Sequence, residues 1–259
     1  MRHVGDIAGR ELRSLFVSPV AYGVLSLFSV LASVFFLLDL AWFHELAGRF
    51  QQYQQYDQQL NLNEHLIAEF YGSISVILLF MIPAITMGLF AAEKTNGTEE
   101  LLLTSPVTAW DIVLGKLLGA GFFVSILIGI VGLFPGLLFI YGDPEVGRTL
   151  SGLLGLMLVG WLYVAIGAFA SSITRSQIIA FLISLVLLLV ILLLPAVADL
   201  GLAAGVTWVG DLCRYLSANA HLEELVKGIV DTADLAYFAV MIACFALMTK
   251  ASVESARWR

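Results

Sequence analysis

Long apolar stretches without a charged residue constrain this chain more than any other feature of its sequence. A bilayer core about 30 Å thick is crossed by a helix of roughly 20 apolar residues. A charge at the centre of such a helix costs about 2.5–3.5 kcal/mol, so charge-free runs of this length favour membrane spans. They occur at 14–38, 70–92, 117–142, 149–174 and 176–198.

A sixth apolar run, 235–249, is short by itself and reaches spanning length if Lys250 extends its ammonium group to the membrane surface. The composition agrees, because 60% of the residues are hydrophobic and 13% are charged, against about 25% charged in soluble domains. The sequence therefore predicts an all-α integral membrane protein with one transmembrane domain. We place its six transmembrane helices at 20–42, 69–92, 114–141, 149–174, 176–198 and 233–253.

The distribution of Lys and Arg predicts which side of the membrane each loop occupies. Six spans put both termini and the 93–107 loop on one side, which receives nine of the 13 basic residues. Cytoplasmic loops carry such an excess, so we expect both termini in the cytoplasm. The acidic residues lie mostly on the other side. The net charge of −7 is therefore no indication of a nucleic-acid partner.

Residues 43–68, on the predicted external side, keep apolar side chains at helical spacing through a Gln-rich tract. This pattern predicts a short amphipathic helix rather than a disordered linker. Asn63 is placed to cap the helix that becomes the second span.

Residues 199–232, also external, combine an apolar run too short to span with Trp208, Tyr215 and an amphipathic stretch. A re-entrant hairpin that dips into the outer leaflet fits this pattern better than a free loop. His221 lies in the same segment and has no second ligand at metal spacing, so we expect it to be structural.

Residues 1–18 repeat apolar side chains at helical spacing, with charged residues mostly on the other sides. We predict an amphipathic helix on the inner membrane surface, followed by a change of direction at Pro19. The alternative is a frayed basic terminus that only sets the topology.

The stretch 93–107 is a polar interruption between two long apolar runs. Gly97 permits a turn of positive φ, Thr98 is placed to cap a following helix, and Pro106 ends that helix. We therefore predict a short helix over 98–105 that lies across the cytoplasmic face. Its triple leucine cannot all face the membrane, so at least one leucine is expected to contact another protein.

The third span begins with a capping-box pattern, Thr108 with Asp111. Two glycine pairs in this span have the spacing that lets helices approach closely. These pairs are Gly115 with Gly119 and Gly132 with Gly136. They serve either packing inside one subunit or contact between subunits, and the sequence leaves both open.

Catalytic motifs are absent from the sequence. It contains no G-x-x-x-x-G-K-[ST] nucleotide loop, no G-x-S-x-G elbow, no H-E-x-x-H and no CxxC. We therefore predict that the chain is not an enzyme, has no catalytic or metal site, and binds no cofactor of its own.

The six-span pattern and the loop motif together resemble the ABC-2 family of ATP-binding-cassette transporter permeases. The motif reads Glu93-Lys94-x-x-Gly97-Thr98-Glu99-x-Leu101-Leu102-x-x-x-Pro106-Val107 and is followed by Gly115-Lys116. Within this family the chain is similar to the gliding-motility-associated and nitrous-oxide-reductase-maturation permeases. Their C-terminal pattern is matched at Leu216-Ser217, His221, Lys227-Gly228, Asp231, Asp234, Tyr237-Phe238, Glu254 and Arg257-Trp258. One departure is Ala218, where that subgroup usually has a proline.

The resemblance implies that 98–105 is a coupling helix seated in a groove of a separate ATPase subunit, and that 1–18 is an interface helix against the same subunit. The residues that would couple to the ATPase are Glu93, Lys94, Gly97, Thr98, Glu99, Glu100, Leu101, Leu102 and Pro106. Those of the interface helix are Arg10, Glu11 and Arg13.

The resemblance also implies an assembly in the bacterial cytoplasmic (inner) membrane. Two ATPase subunits, which bind the ATP and Mg²⁺, would join two permeases that are identical or paralogous. Closure of the ATPases would push the coupling helices together and shift the first, second and fifth spans. The result would be export, or mechanical transmission to an external accessory protein.

Two other functions remain as alternatives. The chain is a membrane anchor or scaffold for an external protein assembly if the Gln-rich segment and the external hairpin bind that assembly. It is an independent secondary transporter if it transports without an ATPase, although the near-absence of charged residues inside the spans argues against this.

Overall fold

The computed structural model describes residues 2–52, 61–98, 107–142, 144–203 and 206–257, and every regular element in these ranges is a helix. A π-helical turn, Asn63–Ile67, leads directly into the third helix. The predicted all-helical class is confirmed for these residues. The helices are α1 (Arg2–Val17), α2 (Pro19–Gln52), α3 (Ala68–Thr86), α4 (Ala91–Thr95), α5 (Ala109–Tyr141), α6 (Val146–Ser172), α7 (Gln177–Ala203), α8 (Thr207–Leu216), α9 (Ala218–Val226) and α10 (Thr232–Arg257).

Six helical segments of the described residues are long and apolar enough to cross a membrane, as the apolar runs predict. They lie in α2, in the stretch Asn63–Thr95 that contains α3 and α4, and in α5, α6, α7 and α10. The most apolar windows of the second and fourth segments are 67% buried within the protein, and those of the first and fifth are 17% buried. The α3 and α6 helices therefore form the centre of the bundle, and α2 and α7 lie at its periphery.

The bundle has two ends with different contents. The terminal end carries α1, α4 and the end of α10, and the far end carries the starts of α3 and α6 together with α8 and α9. Close packing between α3 and α6 joins the two ends. A Cβ on Gly152 would lie 2.6 Å from Cε2 of Tyr71, and the hydroxyl of Tyr71 donates to the carbonyl of Thr149 at 3.1 Å. Because glycine leaves this space open, the two central helices approach closely.

The α1 helix forms where the N-terminal pattern predicts it, and its apolar side packs on α5. A Cβ on Gly115 would lie 2.6 Å from Cγ2 of Ile7, and one on Gly119 would lie 2.8 Å from Cβ of Glu11. The first glycine pair therefore serves packing inside one subunit. In the second pair, Gly136 has no such neighbour within 4 Å.

The α2 helix continues beyond the predicted span end at residue 42 and runs to Gln52. No proline interrupts the chain there, and Arg49 forms an ion pair with Glu45 one turn earlier at 2.6 Å. The start of the predicted external helix at 43–68 is therefore part of α2. Residues 53–60 of that prediction lie outside the described residues.

Asn63 is not the N-cap that the sequence predicts. The turn that it begins has no side-chain cap, and the Asn63 side chain bonds the start of α6 instead. Its Oδ1 accepts from the backbone N–H of Glu145 at 2.8 Å, and its Nδ2 donates to the hydroxyl of Thr149 at 3.2 Å. A cap on a neighbouring helix depends on tertiary contact, which local spacing does not reveal.

The predicted hairpin at 199–232 contains the end of α7 and the two short helices α8 and α9. Ser217 caps α9, because its hydroxyl accepts from the backbone N–H of Ala220 at 3.3 Å. Gly228 follows α9 with a φ of +88°, a conformation that favours glycine. The segment is thus a helical pair at the far end of the bundle.

Candidate functional site

The second span breaks before it reaches the polar loop. Pro83 lies near the end of α3 and removes a backbone donor, and α4 starts again at Ala91. Buried Ser171 of α6 stabilises the restart, since its hydroxyl accepts from the backbone N–H groups of Phe90 at 3.0 Å and Ala91 at 3.1 Å. The first orphan donors of α4 are therefore satisfied by another span.

Lys116, about two turns into α5, is the central charge of the terminal end. Its side chain is 1% exposed. The ammonium Nζ lies 2.9 Å from Oε1 of Glu93 on α4 and 3.4 Å from Oε2 of Glu11 on α1. It also donates to the carbonyl of Leu89 at 2.5 Å and lies over the Phe90 ring, 5.3 Å from its centroid.

These contacts replace the hydration that the Lys116 ammonium group loses on burial. A buried ammonium is costly unless hydrogen bonds and opposite charges surround it, and Lys116 has both. Its two carboxylate partners, Glu11 and Glu93, are 17% and 23% exposed. The ion pairs join α1, α4 and α5 at one point, so a displacement of any one of these helices disturbs the other two.

Two further contacts hold the other side of α4. The ammonium group of Lys94 donates to the carbonyl of Ser172 at the end of α6, and the hydroxyl of Thr95 donates to the carbonyl of Arg175 just before α7. The Ser172 carbonyl also accepts from the hydroxyl of Ser252 in α10 at 2.9 Å. The three consecutive residues Glu93 to Thr95 therefore contact α5, the end of α6 and the turn before α7.

The chain then turns toward the predicted short helix. Gly97 has a φ of +70°, in the left-handed region that the sequence predicts for it. The backbone N–H of Thr98 donates to the carbonyl of Glu93 at 3.1 Å and closes the turn. The predicted helix 98–105 and its residues Glu99, Glu100, Leu101, Leu102 and Pro106 lie outside the described residues from position 99 onward.

Beyond the loop, α5 starts as the sequence predicts. The Thr108 side chain accepts from the backbone N–H of Asp111 at 3.2 Å, and the Asp111 carboxylate accepts from the backbone N–H of Thr108 at 3.2 Å. The predicted capping box is confirmed. Both ends of the 93–107 loop are thus anchored in well-packed helices.

The three predicted residues of α1 divide between two sides of that helix. Glu11 points to Lys116, whereas Arg10 and Arg13 are exposed. The exposed guanidinium groups are therefore available to a partner at the terminal end, and the carboxylate between them is used inside the subunit.

At the far end, the structure brings Tyr215 and His221 together, with ring centroids 5.6 Å apart. The His221 ring lies 2.6 Å from Oδ1 of Asp234 through Nδ1 and 2.9 Å from the carbonyl of Tyr215 through Nε2. It also stacks on Tyr237 at 4.0 Å. A carboxylate and a carbonyl are both acceptors, so each ring nitrogen faces a hydrogen-bond acceptor. This buried histidine joins α8, α9 and α10.

Trp208 lies apart from that cluster. Its side chain is 70% exposed on α8, and Tyr215 on the same helix is 59% exposed. Such amphipathic rings suit a membrane–water interface. The predicted hairpin residues therefore comprise one buried contact, at His221, and two exposed aromatic rings.

Sequence reasoning missed several residues that organise these clusters. Lys116 was identified only as the end of the loop motif, and no role was predicted for Ser171 or Asp234. A signal existed for Lys116, because a lone lysine opens a long charge-free run. Nothing in the sequence indicated which acidic residues would meet it.

Comparison with known proteins places this helical bundle in a family. A family model described as ABC-2 family transporter protein matches residues 6–253. A search of curated proteins finds no match to the chain. The matched residues cover the six membrane segments almost completely, and they include the 93–107 loop between the second and third of them. The chain therefore belongs to the ABC-2 family, as a multi-pass membrane permease subunit of an ABC transporter.

Proposed function

We propose that this permease couples ATP hydrolysis by a separate ATPase subunit to export, or to mechanical transmission across the membrane, through its 93–107 loop. The observation that carries this proposal is the anchoring of α4, which Lys116 holds on one side and the end of α6 and the turn before α7 hold on the other. A loop attached in this way transmits a displacement to several helices at once. A flexibly attached loop would move without displacing them.

The motion is expected to be a rigid-body shift of packed helices. Residues 98–105 would form the coupling helix in a groove of the ATPase, and the exposed Arg10 and Arg13 of α1 would contact the same subunit. Both contacts lead to Lys116, because it is paired with Glu93 at the loop and with Glu11 on α1. Closure of the ATPases would thereby move α1, α4 and α5 together.

The assembly that follows from this function has two permeases, identical or paralogous, and two ATPase subunits. The ATPases bind ATP and Mg²⁺, since this chain has no nucleotide loop in its sequence. The excess of Lys and Arg at the terminal end supports a cytoplasmic position for that end in the bacterial inner membrane. The gliding-motility and nitrous-oxide-reductase-maturation permeases are the proposed subgroup, on the C-terminal pattern.

The test targets the loop and leaves the bundle intact. Thr98→Pro removes the N–H that donates to Glu93, and Glu99→Arg reverses a charge in the predicted coupling helix. We expect each variant to insert normally but to capture at least tenfold less of the ABC ATPase that co-purifies with the tagged chain. ATPase stimulation in reconstituted membranes should fall in parallel.

Glu45→Arg is the matched control, because its carboxylate is 63% exposed on α2 at the far end. It should retain full capture and stimulation. Normal binding and normal stimulation by both loop variants would refute the coupling function.

A further inference from the structure

A pocket of about 460 Å³ opens at the far end of the bundle, between the start of the second span, the start of α6 and the end of α9. We call it the far-end pocket. Its volume lies within the range of small-molecule sites, about 300–1,000 Å³. Five of its lining side chains are charged, namely Glu64, Glu69, Arg148, Glu223 and Lys227, and apolar residues such as Leu222 and Val226 line the rest.

Buried contacts fix the walls of this pocket. Asn63 ties the start of the second span to the start of α6 through Glu145 and Thr149. A Cβ on Gly155 would lie 2.9 Å from Cδ1 of Leu222, so α9 packs tightly on α6. At Gly228 a Cβ would lie 2.7 Å from Cγ of Arg148. The pocket is therefore preformed and not a gap between loose elements.

The two basic side chains of the pocket, Arg148 and Lys227, are oriented by contacts that leave some of their N–H donors available. Arg148 bonds Oε2 of Glu145 through Nε at 2.9 Å, which leaves the Nη donors of its guanidinium group for a ligand. Lys227 has a loose contact with Glu224 at 3.4 Å, and its side chain is 57% exposed. An anionic group in the pocket would find donors from both.

The acidic side chains of the pocket lack a cation. Glu64, Glu69 and Glu223 form no ion pair within the described part of the chain. Carboxylates accept hydrogen bonds from a primary ammonium, whose three N–H groups match several acceptors. The pocket thus offers acceptors for a cation and donors for an anion, with an apolar surface beside them.

We propose that the far-end pocket binds a zwitterionic group with a primary ammonium and a phosphate, the chemistry shared by free phosphorylethanolamine and the head group of phosphatidylethanolamine. The pocket lies where the second and fourth membrane segments begin, which would bring it to the level of the lipid head groups when these segments cross the bilayer. The phosphate contacts Arg148 and Lys227, and the ammonium contacts the unpaired glutamates. This site goes beyond the coupling function and does not depend on it.

Calorimetric titration of the detergent-purified full chain with phosphorylethanolamine tests the site. We expect saturable binding that Glu69→Gln and Arg148→Gln each weaken at least tenfold. Glu45→Gln and Arg49→Gln are the matched controls, since that ion pair is exposed and lies outside the pocket, and they should bind as the parent does. Lys227→Gln, at an exposed position just after α9, tests the phosphate contact if Arg148→Gln fails to fold.

Native mass spectrometry with phosphatidylethanolamine or phosphatidylglycerol distinguishes the source of the group. If the protein retains phosphatidylethanolamine but does not bind phosphorylethanolamine, and Glu69→Gln abolishes the retention, the ligand is a lipid. If the protein also binds phosphorylethanolamine, the site is open to the free compound. The proposal is overturned if neither probe saturates the site, if the pocket variants bind like the controls, or if phosphatidylglycerol binds equally well.

Discussion

At the scale of single residues, Lys116 shows how a charge in an apolar helix is stabilised. Its neighbours in sequence are apolar, and its partners Glu11 and Glu93 come from two distant parts of the chain. The family resemblance assigned Glu93 to the ATPase-coupling residues and Glu11 to the interface helix, and the structure directs both carboxylates to Lys116. The exposed candidates that remain on α1 are Arg10 and Arg13.

Replacement of Lys116 should destabilise the protein strongly. Lys116→Met removes the ammonium group and leaves two carboxylates facing an apolar side chain. Loss of one partner of a buried ion pair costs about 3–5 kcal/mol, and we expect the lower end, about 3 kcal/mol, because water reaches both glutamates. Unfolding in mixed detergent micelles measures this change.

The matched control for this prediction is Lys227→Met. Its ion pair with Glu224 is exposed, and such pairs contribute about 0–1 kcal/mol. Adding Glu11→Gln and Glu93→Gln to Lys116→Met should recover part of the loss, because no unpaired charge then remains. Equal stability of the two lysine variants would contradict the role given to Lys116.

At the scale of elements, close approach between helices decides the positions of α1 and α9. Glycines on α5 receive α1, and glycines on α6 receive Tyr71 and α9. The small-residue spacing in α5 was recognised from the sequence, but it did not distinguish a contact inside the subunit from one between subunits. The distance from Gly119 to Glu11 makes this distinction.

The glycine contact between α1 and α5 predicts opposite effects for two identical substitutions. Gly119→Ala places a Cβ 2.8 Å from Cβ of Glu11 and 3.1 Å from the Ala8 carbonyl oxygen, and such overpacking costs about 1–3 kcal/mol. Gly129 lies on the same helix, and a Cβ added there would have no atom of a packed neighbour within 4 Å. Because alanine has a higher helix propensity than glycine, Gly129→Ala should stabilise the protein by up to about 1 kcal/mol.

Thermal unfolding of both alanine variants measures these effects, and limited proteolysis of α1 locates them. Gly119→Ala should lower the midpoint and expose α1 to cleavage, while Gly129→Ala should leave α1 protected. A gain of stability in both variants would show that α1 is not seated on Gly119.

At the scale of the whole molecule, charge separates the two ends of the bundle. The terminal end holds most of the Lys and Arg residues, and the far end holds most of the acidic ones. This asymmetry predicts that the terminal end faces the cytoplasm. The loop that would meet an ATPase and the far-end pocket are then on opposite sides of the membrane.

Cysteine labelling of intact cells measures this orientation. In a chain with Cys213→Ser and Cys244→Ser, a membrane-impermeant maleimide should label Gly48→Cys and not Ser255→Cys, since both positions are exposed at opposite ends of the bundle. Labelling of Ser255→Cys should appear only after the cells are opened. The reverse pattern would place the termini outside and would exclude contact of the loop with a cytoplasmic ATPase.

The sequence by itself determined the helical class, the six membrane segments, the capping box at Thr108 and the positive φ at Gly97. These features depend on apolar length, on charge in the bilayer and on local backbone geometry, all of which are written in neighbouring residues. The loop motif also led to the transporter family.

Only the tertiary structure decided which distant groups meet. The pairing of Lys116 with Glu11 and the capping of α4 by Ser171 join segments far apart in the chain. The pairing of Lys116 with Glu93 and the burial of His221 against Asp234 join helices that are closer in sequence, but still depend on how those helices pack. The far-end pocket arises in the same way, from three separate helices. The physical reason is that a membrane span can satisfy its own backbone, but a buried polar side chain needs a partner that packing alone brings within reach.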